Sequence, residues 1–463
     1  MEISRTEFLF CWKLLICYSI DIQMIFSNNA IEYTIRRIAD IAFPRKECRV
    51  ELGDVPMLVV DPDVEIKFIR PDDSSVEFLY KGNLCYSNIK SFDNKVLLKV
   101  FSLSENDKPF SFDGKCVHVN FDMLGISFLL LSRYEEKLTG HRDRFGRFCY
   151  EDSLCCKYEL SDIPIVDEYA MLLRKFVQEN FPNFVVARRD PKFIPTHDID
   201  FLFRFPSFGK AVKTIAGDLF RRKSLRMSCK SLAAYMKSLR NFRQDPYVSA
   251  VYELLKVSIE NKLDSRFYFK PLRSKDFDST YNILSPKSRE CIKDLQSQGA
   301  SVGLHGSLYS FADKVIFTIE KSRFEGVSGC EVAAVRQHFL RFDVRKTPQI
   351  WQECGIRSDS TLGFPEREGF RCGTCHPYPL YDIVNDRVLD VVEHPLVVMD
   401  TTLFQYRKLT EIEAFDSVCK LYDRCVAVEG DFVILWHNTT MFGELEKWYK
   451  DVYLRLIGLI SLV

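Results

Sequence analysis

The chain has 463 residues, 46% of them hydrophobic, with 64 basic and 64 acidic side chains and a formal net charge of zero. Such a content excludes a disordered chain and is enough for two domains, each with its own core. A neutral chain has no global field for nucleic acid, so nucleic acid is not expected as a partner and other partners must be read from local charge.

At the N-terminus, FLFCWKLLICYSIDIQMIF (8–26) is apolar, but Lys13 and Asp21 interrupt it and no small-residue cleavage site follows. It reads as a core element, with a signal anchor as the alternative. The next ninety residues hold short alternating runs, VEIKFI (64–69), VEFLY (76–80) and KVLLKVF (95–101), broken by polar clusters, and predict strands and hairpins. FDMLGISFLLLSRYEEKL (121–138) and DEYAMLLRKFVQENF (167–181) have helical spacing. This first half holds only His118 and His141 of the eight histidines, so the chemistry is expected elsewhere.

After the polar break ARRDPK (187–192) the pattern becomes strand and helix in alternation, the mark of parallel strands with crossover helices. FIPTHDI (193–199), SRFYFK (265–270), ASVGLHGS (300–307), VAAVRQHFLRF (332–342) and DFVILWHN (431–438) read as strands. YVSAVYELLKVSIENK (247–262), a helix opened by Ser285-Pro286, another opened by Thr347-Pro348, and ELEKWYKDVYLRLIGLI (444–460) read as helices. His197, His305, His338 and His437 fall at or near predicted strand ends, which in parallel sheets and barrels converge on one face. Histidines with paired Asp198 and Asp200 are the donor set of a hydrolytic divalent metal. Asp198 and Asp200 share one face of a regular strand, and His197 alternates away.

Taken in order, THDID (196–200), SVGLHGSLYS (301–310), VRQHFLRF (335–342), SDSTLGFPEREGFRCGTCHPYPLYD (358–382) and VILWHN (433–438) resemble the polysaccharide deacetylases of the NodB type, carbohydrate esterase family 4. The resemblance is to a divergent bacterial branch with an added N-terminal domain, which FDMLGISFLLLSRYEE (121–136) and IPIVDEYA (163–170) resemble in turn. It implies an α/β chain: a distorted (β/α) barrel over 190–463, preceded by a smaller α/β or α+β accessory domain over 1–186. The implied activity is metal-dependent removal of acetyl groups from an N-acetylated sugar or glycan in surface-polysaccharide synthesis. The metal is expected to be zinc, with cobalt or manganese as alternatives.

Residue by residue, the resemblance makes Asp198 the general base, Arg336 the group that orients it, and His437 the acid that protonates the leaving amine. Asp200 and His305 become metal ligands. The second histidine of the family's metal motif falls at Tyr309, so His338 or His376 is the candidate replacement, and loss of the metal is the alternative. Tyr309, Trp436, Tyr378, Tyr381 and Asp359 are candidate substrate contacts, Asp359 and Ser360 also being placed to fix the geometry around the site. A catalytically inactive glycan-binding protein, or another amide hydrolase on the same scaffold, are the alternative functions.

Two features stand outside that pattern. Cys372, Cys375 and His376 in CGTCH, with Cys354, have a weak zinc or redox spacing. The sixteen cysteines as a whole are scattered through a long chain, which suits reduced thiols in a cytoplasmic protein. Ser307 has no nucleophile-elbow context. Arg204–Arg243 holds eleven Lys or Arg and one acid, Asp218. That run is either a solvated face or a contact for a membrane surface or a lipid-linked glycan.

Overall fold

The computed structural model describes residues 25–62, 64–71, 108–272, 281–442 and 447–460. The predicted runs VEFLY and KVLLKVF, and most of the N-terminal apolar run, lie outside these. The described residues fall into two compact units. One is drawn from Met1–Glu135, Ile165–Arg189 and Tyr381–Val388, the other from Glu136–Pro164, Asp190–Leu380 and Leu389–Val463. The units therefore interleave along the chain instead of meeting at one linker near 186–190.

The first unit holds a five-stranded sheet of order β1-β2-β3-β5-β4: β1 Arg49–Glu51, β2 Met57–Asp61, β3 Val64–Phe68, β4 Phe110–Phe112 and β5 Cys116–Val119. All of its pairs are antiparallel except β3 with β5. VEIKF alternates between buried and half-buried positions, as a strand with one covered face should. Helices Asn28–Ala42, Met123–Leu131 and Ile165–Asn180 accompany the sheet. Ser27 caps the first through Ala30 N at 3.0 Å, and the buried Arg174 guanidinium donates to the carbonyls of Ile41 and Ala42 at its other end, 2.6 Å each. Met123–Leu131 is buried along its whole length, so its composition is apolar on every side.

The second unit is built on a nine-stranded sheet of order β11-β12-β10-β9-β8-β7-β6-β14-β13. Its strands are β6 Phe193–Ile199, β7 Arg266–Phe269, β8 Ser301–Gly306, β9 Ala334–Gln337, β10 Ser358–Asp359, β11 Tyr378–Asp382, β12 Arg387–Glu393, β13 Leu396–Met399 and β14 Phe432–Leu435. Every neighbouring pair from β12 across to β13 is parallel. The unit is therefore mixed α/β, with helices between successive strands from β6 to β10 and between β13 and β14. Strands β6 and β14, each paired on both sides, are buried at every residue, which is why FIPTHDI and FVIL do not alternate in polarity.

Ser285 opens its helix as read, whereas Thr347 lies inside the helix Thr347–Glu353, which has no side-chain cap. Ser285 and Asp245 cap helices that open with Pro286 and Pro246, and Thr410 with Glu413 forms a capping box on Glu411–Ala427. The run VAAVRQHFLRF differs from expectation: only Ala334–Gln337 is strand. Phe339 and Leu340 then take positive φ, 60° and 55°, in a tight turn. Two consecutive left-handed residues with side chains are costly and mark a turn fixed by its surroundings. Among the described residues, no helix is long and apolar enough to cross a membrane.

Candidate active site at the carboxyl edge of the sheet

Parallel register places the chemistry. Asp198 pairs with Tyr268 across β6 and β7, and His305 pairs with Arg336 across β8 and β9. Five strands thus deliver polar side chains to one edge: Asp198 and Asp200 from β6, Lys270 from β7, His305 from β8, Arg336 and His338 from β9, and His437 just past β14.

Asp200 is the hub. Its Oδ1 lies 2.7 Å from Lys270 Nζ, 3.3 Å from His305 Nε2 and 3.5 Å from His338 Nε2, and its Oδ2 lies 3.6 Å from His437 Nε2. Burial alone would raise its carboxyl, but Lys270, His338 and His305 hold it well below the usual range. Asp198 Oδ2 stands 3.7 Å from the same His305 Nε2, so the two carboxylates do share a face, as the strand period requires. His305 Nδ1 is 2.9 Å from the Arg336 carbonyl. The carbonyl can only accept, so Nδ1 carries a proton, and the buried Nε2, which has no hydrogen-bond partner, faces Asp200. The His338 ring stacks on Phe339 at 4.0 Å, and the turn at Phe339 and Leu340 locks that position.

Asp200, His305 and His338 offer ligand atoms that lie within 4.8 Å of one another. One carboxylate and two imidazoles, with His305 Nε2 already turned toward the carboxylate, suit a divalent ion such as zinc. The Lys270 ammonium stands among them, 2.7 Å from His338 Nε2 as well as from Asp200, and supplies positive charge at the same place.

Arg336 is fully buried and held by four contacts. It donates to the Ser360 carbonyl and Oγ at 2.7 Å each and to Thr196 Oγ1 at 2.5 Å, and it reaches Asp198 Oδ1 at 3.5 Å. Its grip on Asp198 is therefore the longest of the four. His437 Nδ1 is 2.7 Å from Asp400 Oδ1, and Asp400 Oδ2 accepts from His437 N and Thr440 Oγ1. Burial would lower the imidazole, but Asp400, then Asp200 and Asp198, push it up to about 9.

Other expected residues are placed differently. His197 points away, with Nδ1 at 2.8 Å from the Trp436 carbonyl and its ring against Phe267; burial lowers it to about 4. His376 Nε2 is bonded to the Val428 carbonyl at 2.8 Å, so of the two candidates for the missing imidazole it is His338 that faces Asp200. Tyr309 is 52% exposed. Trp436, expected as a stacking surface, is fully buried between Phe404 and Tyr453 and has no face left for a sugar. Tyr378 and Tyr381 are both buried on β11, and the Tyr381 hydroxyl donates to Asp386.

Asp359 is likewise fully buried and accepts from Thr361. It pairs with the buried Glu393, which burial and Asp359 raise well above the usual carboxylate range. It stands behind the site, next to the Ser360 that holds Arg336. Cys372 and Cys375 are buried, and neither belongs to a potential metal group among the described residues. Sequence reasoning missed Lys270 and Asp400. Both directly follow a strand, β7 in FYFK and β13 in VVMD, and that shared position was the available signal.

Residues 22–182 match a family described as a family of unknown function (DUF7033). No curated protein sequence is similar to the chain. Among solved structures it is similar to a protein assigned as a polysaccharide deacetylase from Mycobacterium smegmatis, at 16% identity over 59% of this chain and 86% of that one, TM-score 0.37. A CE4 family pseudoenzyme from Bacillus anthracis is similar at 7% identity over 58% and 63%, TM-score 0.27. The chitin deacetylase of the fungal pathogen Colletotrichum lindemuthianum is similar at 11% identity over 59% and 86%, TM-score 0.27.

Proposed function

We propose that the chain is a metal-dependent hydrolase of the NodB type that removes N-acetyl groups from a carbohydrate, in the synthesis of a bacterial surface polysaccharide. The observation that carries this reading is the convergence of Asp200, His305 and His338 on one point, flanked by Asp198 and by the Asp400–His437 pair. A divalent ion held by those three residues would supply Lewis-acid polarisation of the acetyl carbonyl and of the attacking water.

The remaining work falls to this chain's own side chains. Asp198, anchored by Arg336, takes the proton of the attacking water as that water adds to the carbonyl carbon. His437, with Nδ1 tied to Asp400, presents Nε2 to the departing nitrogen and gives it a proton as the C–N bond breaks. Water and amide become acetate and a free amine, so the proton count closes. Acetate release from a panel of N-acetylated sugars, measured with metal content before and after adding zinc, cobalt or manganese, tests the reading. Turnover that depends on the ion is expected; an inert protein that binds none of the three sinks it.

A second reading has its own observation. The Lys270 ammonium places a cation beside both Asp200 and His338, as it would in a metal-free scaffold that only binds glycans. Glycan binding unaffected by chelators, with no acetate released, would favour it.

A further inference from the structure

The segment between β6 and the helix Pro246–Glu260 has its polarity reversed. Helix Leu225–Arg240 buries Ser228, Ser231 and Ser238 and exposes Leu225, Leu232, Met236 and Leu239. Those four recur at helical spacing and form one stripe. Helix Phe208–Ala216 buries only Ala211, while Phe208 is 71% and the nearby Phe220 76% exposed. An ordinary surface helix does the opposite, burying its apolar stripe and exposing its serines.

The orientation is fixed from within. Ser231 Oγ donates to Asp218 Oδ2 at 2.5 Å, Ser228 Oγ donates to the Ile215 carbonyl at 3.1 Å, and Arg204 donates to Ser231. Rolling the helix over would strand these buried polar groups.

Charge identifies what the stripe faces. The eleven Lys or Arg of this segment meet a single acid, and Asp218 is already engaged by Arg222 at 2.8 Å. Lys210, Lys213, Arg221, Lys223, Lys237 and Arg240 are exposed, and none has an ion pair among the described residues. Lys210, Lys213, Arg221 and Arg222 also line one open concavity, a shape and charge suited to phosphate. A second copy of this chain would set cations against cations across a two-fold axis. Nucleic acid would leave the Leu and Phe stripe unmatched.

We propose that residues 204–243 dock on an anionic lipid bilayer, the apolar stripe entering the acyl boundary and the cations meeting headgroup phosphates. The segment starts at the end of β6, and the Asp245 carboxylate closes it by accepting from Arg204 N and Phe205 N at 2.8 and 3.0 Å. Docking therefore brings the lipid surface to the edge of the sheet that carries Asp198 and Asp200.

The test is cosedimentation of the full chain with vesicles of phosphatidylcholine alone or mixed with phosphatidylglycerol. Binding is expected to the mixed vesicles, at least about tenfold tighter than to phosphatidylcholine and weakened by salt. Two combined variants, Phe208→Ser with Phe220→Ser and Leu232→Ser, and Lys210→Gln with Lys213→Gln and Lys223→Gln, should each lose at least about tenfold. Their melting temperatures should not move, because every changed side chain is exposed. Three outcomes overturn the proposal: no vesicle binding by the parent chain, variants that bind as the parent does, or a dimer abolished by the apolar variant without any lipid binding.

Discussion

Lys270→Met removes the ammonium that stands 2.7 Å from Asp200 Oδ1. At an effective dielectric of about 20, two unit charges at that separation attract by about 6 kcal/mol. Desolvation of both groups offsets much of this, and breaking a buried pair by deleting one partner costs about 3 to 5 kcal/mol. A divalent ion entering the site must loosen that pair, so its affinity for the parent chain is reduced by some of the pair's strength. Methionine keeps the volume and removes the competitor. Zinc titrated calorimetrically into metal-stripped protein should bind the variant at least about tenfold more tightly, each factor of ten being about 1.4 kcal/mol. Equal affinity would refute the competition. Weaker binding would go further and show that the lysine supports the ligands.

Four further predictions follow from the site and its supports. His338→Ala should lose zinc by at least about tenfold in the same titration, while His376→Ala, whose imidazole bonds the Val428 carbonyl, should bind as the parent does. Asp400→Asn should lower the turnover number for acetate release by about 10²-fold or more with little change in fold, because it removes the ionic partner of His437 Nδ1; unchanged turnover would exclude His437 as the acid. Arg336→Lys should lower stability by about 3 kcal/mol in urea unfolding, since one ammonium cannot reproduce the bonds to both Ser360 oxygens and Thr196. Glu393 has a folded-state value raised by burial and then by Asp359. Its stabilising contribution is therefore full below the ordinary glutamate value and is lost as pH rises through the raised one. Glu393→Gln should flatten the fall in melting temperature as pH rises above the ordinary glutamate value, and parallel curves would contradict the raised value.

Strand ends were legible because period and composition change together there. FIPTHDI is strand Phe193–Ile199 as read, with its polar residues at the carboxyl end. The turn of His197 away from Asp198 and Asp200, into the core, also followed from alternation. What sequence could not supply was the meeting of residues far apart in the chain. Lys270 and Asp400 carry no motif, and each matters only because a parallel register aligns its strand end with β6 or β14. Trp436 shows the converse error. An aromatic beside a candidate catalytic histidine invites a stacking role, yet the side chain before His437 turns into the core against Phe404 and Tyr453. VAAVRQHFLRF misled for a local reason: its apolar spacing continues past Gln337, but the backbone reverses at Phe339 and Leu340 to aim His338 at Asp200.

The charge pattern of the site links its two readings. Asp198, Asp200 and Asp400 supply three negative charges at the edge; Arg336 and Lys270 supply two positive ones, and the raised His437 a third at neutral pH. With His305 and His338 counted as uncharged, these charges cancel without any ion, and a divalent ion would add two. Release of one of the cations would offset half of that. Arg336 is fixed by Ser360 and Thr196, neither of which is a proposed ligand, and His437 is fixed by Asp400. Lys270 differs, because two of its partners, Asp200 and His338, are themselves proposed ligands. It is the cation whose partners an arriving ion would take, on a flexible four-carbon stem that can follow solvent outward. The question of whether this edge is a hydrolase or a binding scaffold therefore reduces to one physical comparison: whether Asp200 and His338 prefer a divalent ion or an ammonium.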